Sequence, residues 1–96
     1  MIIVRDVFQA NWGKSNELVA LFKGAKSVFP EEFGHRILTD GSGQFFTVVV
    51  ETEVASVAEW ERLRDRIFKK KEFVQWFEKS AEIIHSGHRE FWTVEG

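Results

Sequence analysis

The chain has no cysteine and no tyrosine, and only one proline and one methionine. Without thiols there are no disulfides, no thiolate nucleophile and no zinc–sulfur site. No apolar run approaches the ~18–20 residues that span a bilayer, and the opening residues lack the pattern of a secretory signal. A surplus of charge is missing too. Thirteen basic side chains against fifteen acidic ones leave a net charge of −2, which weighs against a nucleic-acid or anionic-membrane partner held by bulk charge. The glycines build no phosphate loop, since Gly41 and Gly43 sit in a hairpin with no helix after them. No serine stands in a nucleophile-elbow context. The expectation is a cytoplasmic protein with no cofactor, no bound metal, and neither nucleic acid nor membrane as partner.

What is present is apolar bulk. The 96 residues are 44% hydrophobic, with ten phenylalanines and four tryptophans. That excludes a disordered chain and fits a single domain over residues 1–96. A chain this short buries only about 60–65% of the surface its unfolded form exposes, so association is a natural way to bury more.

Periodicity orders the elements. Met1–Phe8 alternates as a strand, with Ile2, Val4 and Phe8 on one parity and Ile3, Arg5 and Val7 on the other. After the break at Asn11–Lys14, a helix is expected from Ser15 as N-cap, with Glu17 in its first turn. Leu18, Leu21, Phe22, Ala25 and Val28 or Phe29 keep the helical spacing until Pro30 ends it. Phe33–Thr39 and Gln44–Glu53 read as strands joined at Asp40-Gly41-Ser42-Gly43, a strong hairpin signal. Ser56-Val57-Ala58-Glu59 forms a capping box that opens a second helix, with Trp60, Leu63, Ile67 and Phe68 on one face. A shorter helix carries Phe73, Trp76 and Phe77 as core. From Ile83 to Val94 the chain is strand-like again, with Gly87 as a candidate bulge. The order β-α-β-β-α-β predicts a ferredoxin-like α+β fold, a four-stranded antiparallel sheet with its helices on one face.

The other sheet face is left bare, and it concentrates the chemistry. In the third strand Phe46, Val48 and Val50 suit the helix side, which leaves Phe45, Thr47, Val49 and Glu51 outward. With Ile3, that set is too apolar for water, and it predicts a homodimer closed face to face. An even hairpin loop puts Arg36 on the same face, beside Arg5, Thr47 and Glu51. A slip of one residue would exchange Arg36 for His35. Converging cations and a carboxylate among apolar neighbours are a ligand-binding constellation, with Arg5, His35, Arg36, Thr47 and Glu51 as candidates. The competing reading is an interface ion pair between Glu51 and Arg5 or Arg36 that sets dimer register.

Other clusters carry less. His85 and His88, three apart along a strand, point to opposite faces and cannot chelate one ion. The basic stretch Arg62–Lys71 reads as a solvated helix face, with Asp65 and Lys69 spaced to pair.

Taken together, the chain resembles the dimeric α/β-barrel superfamily, which includes antibiotic-biosynthesis-monooxygenase-like and NIPSNAP-like proteins. The resemblance rests on the short first strand running into Gly13-Lys14 and on the strand Phe46-Thr47-Val48-Val49-Val50-Glu51. Ser56-x-x-Glu59-Trp60 and Glu72-Phe73-Val74-Gln75-Trp76-Phe77 complete it. It implies a dimeric barrel, and it covers activities from cofactor-independent oxygenation and isomerisation to haem degradation. The haem-degrading members use an asparagine, a tryptophan and a histidine at places that fall near Val7, Glu51 and Phe77, so that chemistry is not expected. The expected function is a dimer that binds a small hydrophobic or anionic metabolite in a cavity between sheet and helices. The alternatives are a cofactor-independent monooxygenase or isomerase on a small planar substrate, with Glu51 as base and Arg5 or Arg36 orienting, and a structural dimer with no ligand.

Overall fold

Alternation along β1 (Ile2–Ala10) puts Ile2, Val4, Phe8 and Ala10 on one side of the sheet, and on that side the helices pack. The structure, a computed structural model, describes residues 1–25, 27–29 and 35–96. After β1 come α1 (Ser15–Lys23), β2 (His35–Thr39), β3 (Thr47–Val54), α2 (Val57–Phe68), α3 (Lys71–Ala81) and β4 (Ile84–Thr93). The strands form one antiparallel sheet in the order β2-β3-β1-β4. This is the ferredoxin-like α+β fold.

The core lies between sheet and helices. Leu18 and Phe22 of α1 bury against Ala10, Val48 and Val50, while Trp60 of α2 covers Val4 and Val54. Val4, Leu18 and Val48 are fully buried, each worth about 1.5–3 kcal/mol relative to exposure. The Trp76 indole N–H donates to the Leu21 carbonyl at 3.1 Å and ties α3 to α1.

α1 differs from its sequence reading at both ends. Ser15 is its first helical residue, and Lys14 precedes it with no side-chain cap. Instead the Lys14 ammonium lies 3.0 Å from the Glu17 carboxylate. The helix stops at Lys23, where the Gly24 N–H closes back on the Ala20 carbonyl. Ala25 and Val28, expected on its apolar stripe, reach the core from a turn beyond it and pack on Ile67. The expected stop at Pro30 and strand start at Phe33 lie outside the described residues.

β3 begins at Thr47 rather than Gln44, so the β2–β3 loop is longer than a four-residue turn. Two features end the strand there. Phe46 holds a left-handed backbone, φ 58°, which a bulky side chain rarely adopts. Asp40 brackets the loop, its N–H donating to the Thr47 carbonyl and its carboxylate accepting the Thr47 N–H. Phe45, expected in the outward row of β3, sits in this loop, exposed and edge-on to Trp12.

The Ser56 hydroxyl accepts the Glu59 N–H at 3.1 Å, as a capping box requires. The return bond shifts by one residue: the Glu59 carboxylate accepts from Ala55 N–H, at 3.2 Å. In β4 the extra residue is His85, between the pairs Ser86↔Gln9 and Ile84↔Ala10. Gly87 makes no bulge. It lies opposite Phe8, and a Cβ added there would come 3.1 Å from the Phe8 ring and the Val7 carbonyl. Among the described residues no helix is long and apolar enough to cross a membrane.

Candidate functional site

A cavity of about 200 Å³ opens between the helix-side face of the sheet and α2 and α3. Its wall is aromatic. Phe22 stands 5.1 Å from Trp76 and 5.4 Å from Phe8, ring centre to ring centre, and Phe29 meets Trp76 edge-on at 5.0 Å. Two phenylalanines that also line it, Phe68 at the end of α2 and Phe77 in α3, stay about half exposed, at 52% and 57%. Phe77 is thus a rim residue and not the core residue that its spacing suggested.

Four polar residues interrupt this wall: Asp6, Thr52, Arg64 and Arg89. Register explains two of them. Asp6 of β1 pairs with Arg89 of β4 on the helix side of the sheet, and the Arg89 Nε–H donates to the Asp6 carboxylate at 2.6 Å. The Arg89 guanidinium lies 4.3 Å from the Trp60 ring centre, and that of Arg64, from α2, lies 5.1 Å from it. Both are cation–π contacts. Arg64 also pairs with its exposed neighbour Asp65 at 3.2 Å. The arrangement offers an apolar slot for a flat molecule with charged groups collected at Trp60.

The opposite, bare face carries a ladder of charge across all four strands. Arg36 of β2 donates through Nε to Glu51 of β3 at 2.7 Å. Arg5 of β1 brings its Nε to 3.2 Å from the other Glu51 oxygen and its Nη1 to 3.9 Å from Glu90 of β4. The Arg5–Glu51 contact is electrostatic, because Arg5 Nε is buried there without the alignment of a hydrogen bond. Glu90 also accepts from the Trp92 indole at 2.9 Å and contacts His88 at 2.9 Å. Those hydrogen bonds, Trp92 first, and the nearby positive charge hold the Glu90 carboxyl below its ordinary value, against a smaller opposing effect of burial.

The structure therefore brings together Arg5, Arg36 and Glu51, three of the five residues singled out from sequence. Thr47 stands apart at the end of β3, where its hydroxyl donates to the Gln44 carbonyl at 2.8 Å. The pairing puts Arg36 opposite Glu51 and His35 opposite Thr52, so no register slip exchanges them. Arg5, Arg36, Thr47 and Glu51 lie on the bare face and do not line the cavity. The polar residues that do line it escaped the sequence reading, yet Asp6 left a signal. It has the parity of Ile2, Val4, Phe8 and Ala10, and a carboxylate in an apolar stripe needs a partner. Among the described residues no three His, Cys, Asp or Glu side chains converge to hold a metal ion.

No protein-family model and no curated protein matches the chain. Solved structures do match it. An uncharacterized NIPSNAP domain protein from Burkholderia xenovorans superposes with a TM-score of 0.87 at 13% identity, over 100% of this chain and 96% of that one. A NIPSNAP family protein from Agrobacterium tumefaciens gives 0.85 at 14% identity, over 96% and 90%. A protein from Chloroflexus aurantiacus, provisionally called an antibiotic biosynthesis monooxygenase, gives 0.75 at 10% identity, over 99% and 93%. At such identities the likeness shows the fold alone. The chain has the fold of the NIPSNAP domain proteins, shared with proteins called antibiotic biosynthesis monooxygenases.

Proposed function

We propose that the chain is a homodimeric binding protein that holds a small, flat, largely apolar molecule between its sheet and α2–α3. The observation that carries this reading is the cavity itself, about 200 Å³, walled by aromatic rings and broken by one carboxylate–guanidinium pair. Apolar walls with a few convergent polar groups are the usual form of a small-molecule site. The bare face supports the dimer, since it presents Ile3, Val7 and the 54% exposed Trp92 around the Arg36–Glu51–Arg5–Glu90 ladder, whereas Val49 of the same row is already buried. On this reading the ladder fixes the register of two stacked sheets, and Glu51 is its centre rather than a base. Both Glu51 oxygens already face guanidiniums.

A second reading, cofactor-independent oxygenation or isomerisation, draws support from the flat aromatic slot, where Asp6 could act on a substrate only once released from Arg89, 2.6 Å away. Native mass spectrometry of freshly purified protein tests the first reading. A small non-protein mass on the dimer is expected, and Val50→Phe, which fills the cavity, should remove it. An unchanged adduct in the filled variant would place the ligand elsewhere. Consumption of that ligand under air by the wild type, but not by Asp6→Asn, would favour the second reading.

A further inference from the structure

Resting on the reading that this cavity holds a small flat molecule, we infer that the molecule is an aromatic carboxylate of one or two rings. Its carboxylate sits on the guanidiniums of Arg64 and Arg89. Three observations lead there.

The first is charge. Two arginines and one aspartate line the cavity, so its wall carries one surplus positive charge. Asp6 is already taken by Arg89 at 2.6 Å, which leaves no free anion to receive a cationic ligand. A single negative charge on the ligand balances the wall.

The second is the supply of donors. Arg89 uses Nε on Asp6, and neither of its Nη groups donates to an acceptor among the described residues. Arg64 uses Nε and Nη2 on Asp65, which leaves Nη1. Asp65 is 60% exposed, and an exposed pair of that kind is worth little and yields readily. Both guanidiniums stand within 5.1 Å of the Trp60 ring centre. Planar forks of this type match a carboxylate better than a neutral hydroxyl or carbonyl.

The third is size and shape. A cavity of about 150 Å³ lined by apolar side chains takes up benzene. This one, at about 200 Å³, has room for one ring or a fused pair. Phe8, Phe22, Phe73 and Trp76 offer faces and edges for stacking, which favours an aromatic body over a flexible chain.

Calorimetric titration of the purified dimer with naphthoate, naphthylmethanol and naphthylmethylamine tests the inference, since the probes share a ring system and differ in charge. Naphthoate should bind about tenfold more tightly than the alcohol, with the amine weakest. Arg64→Gln should cut that preference severalfold, Arg89 keeping the remainder, with a smaller change in the alcohol's affinity, and Arg64→Lys should restore part of it. Because Arg64 is a third exposed, the variants should keep the wild-type melting temperature. If alcohol and acid bind alike, the charge assignment falls while the apolar site stands. Binding of none of the three overturns both. An acid preference that is undiminished in Arg64→Gln puts the carboxylate elsewhere and overturns the inference.

Discussion

Arg89 reaches across from β4 to Asp6 of β1, Nε to carboxylate at 2.6 Å, on the side of the sheet that the helices cover. An ion pair so placed is costly to break from one side. Asp6→Leu leaves the Arg89 guanidinium beside an aromatic wall without its anion. A fully buried pair broken this way loses about 3–5 kcal/mol. Arg89 is 40% exposed, so about 1–2 kcal/mol is expected here. The double variant Asp6→Leu/Arg89→Met should recover most of the loss, because apolar replacement of both partners leaves nothing unpaired. Urea unfolding of the four proteins in this cycle measures the coupling, and strict additivity of the single losses would contradict it.

Association through the bare face has its own test. Light scattering should return about twice the 11.2 kDa chain mass at micromolar concentration. Trp92→Lys, at an exposed position on that face, should give the monomer while helical circular dichroism persists. A variant that stays dimeric places the interface elsewhere.

Acid should weaken the fold through Glu90. Its folded carboxyl titrates below the ordinary value of 4.5, mainly through the Trp92 hydrogen bond. A carboxylate whose pKa is lowered on folding stabilises the native state above the unfolded value and loses that contribution as pH falls through the folded one. The melting temperature should therefore drop as the solution is taken below pH 4.5. In Glu90→Gln the drop over that window should be shallower. Equal slopes in both proteins would remove Glu90 as its source.

Two serines separate the capping box that forms from the cap that does not. Ser56→Ala removes the acceptor for the Glu59 N–H and should cost about 1 kcal/mol, or roughly 4–8 °C in a domain of this size. Ser15 caps nothing, being the first residue inside α1. Ser15→Ala should change the midpoint by only a few tenths of a kcal/mol, on the order seen for ordinary surface changes. Parallel thermal melts compare them.

Much of the fold was legible because it rests on parity and spacing. An even hairpin loop put Arg36 on the face of Glu51, with His35 as the alternative until the strand pairing decided it, and Ser56-x-x-Glu59 marked the start of α2. Features set by tertiary geometry were not legible. No local rule announces that Phe46 adopts a left-handed backbone and so delays β3. In α3 the residues 73, 76 and 77 all satisfy a helical stripe, yet successive positions are rotated by about 100°. Trp76 takes the inward place, hydrogen-bonded to Leu21, and Phe77 is left at the rim. The cavity's polar residues were not legible for a different reason. The charged residues of the bare face stood out against apolar neighbours, whereas Asp6 was passed over within its stripe. Arg89 becomes meaningful only once β4 is paired with β1, a contact between residues 83 positions apart.

Gly87 carries a consequence beyond its own strand. The Phe8 ring, part of the cavity wall, lies where a side chain at position 87 would begin. A methyl group at 87 would press on that ring and on the Val7 carbonyl, and the ring would have to yield by a few tenths of an ångström. Position 87, on an edge strand, therefore bears on where one wall of the cavity stands without lining it.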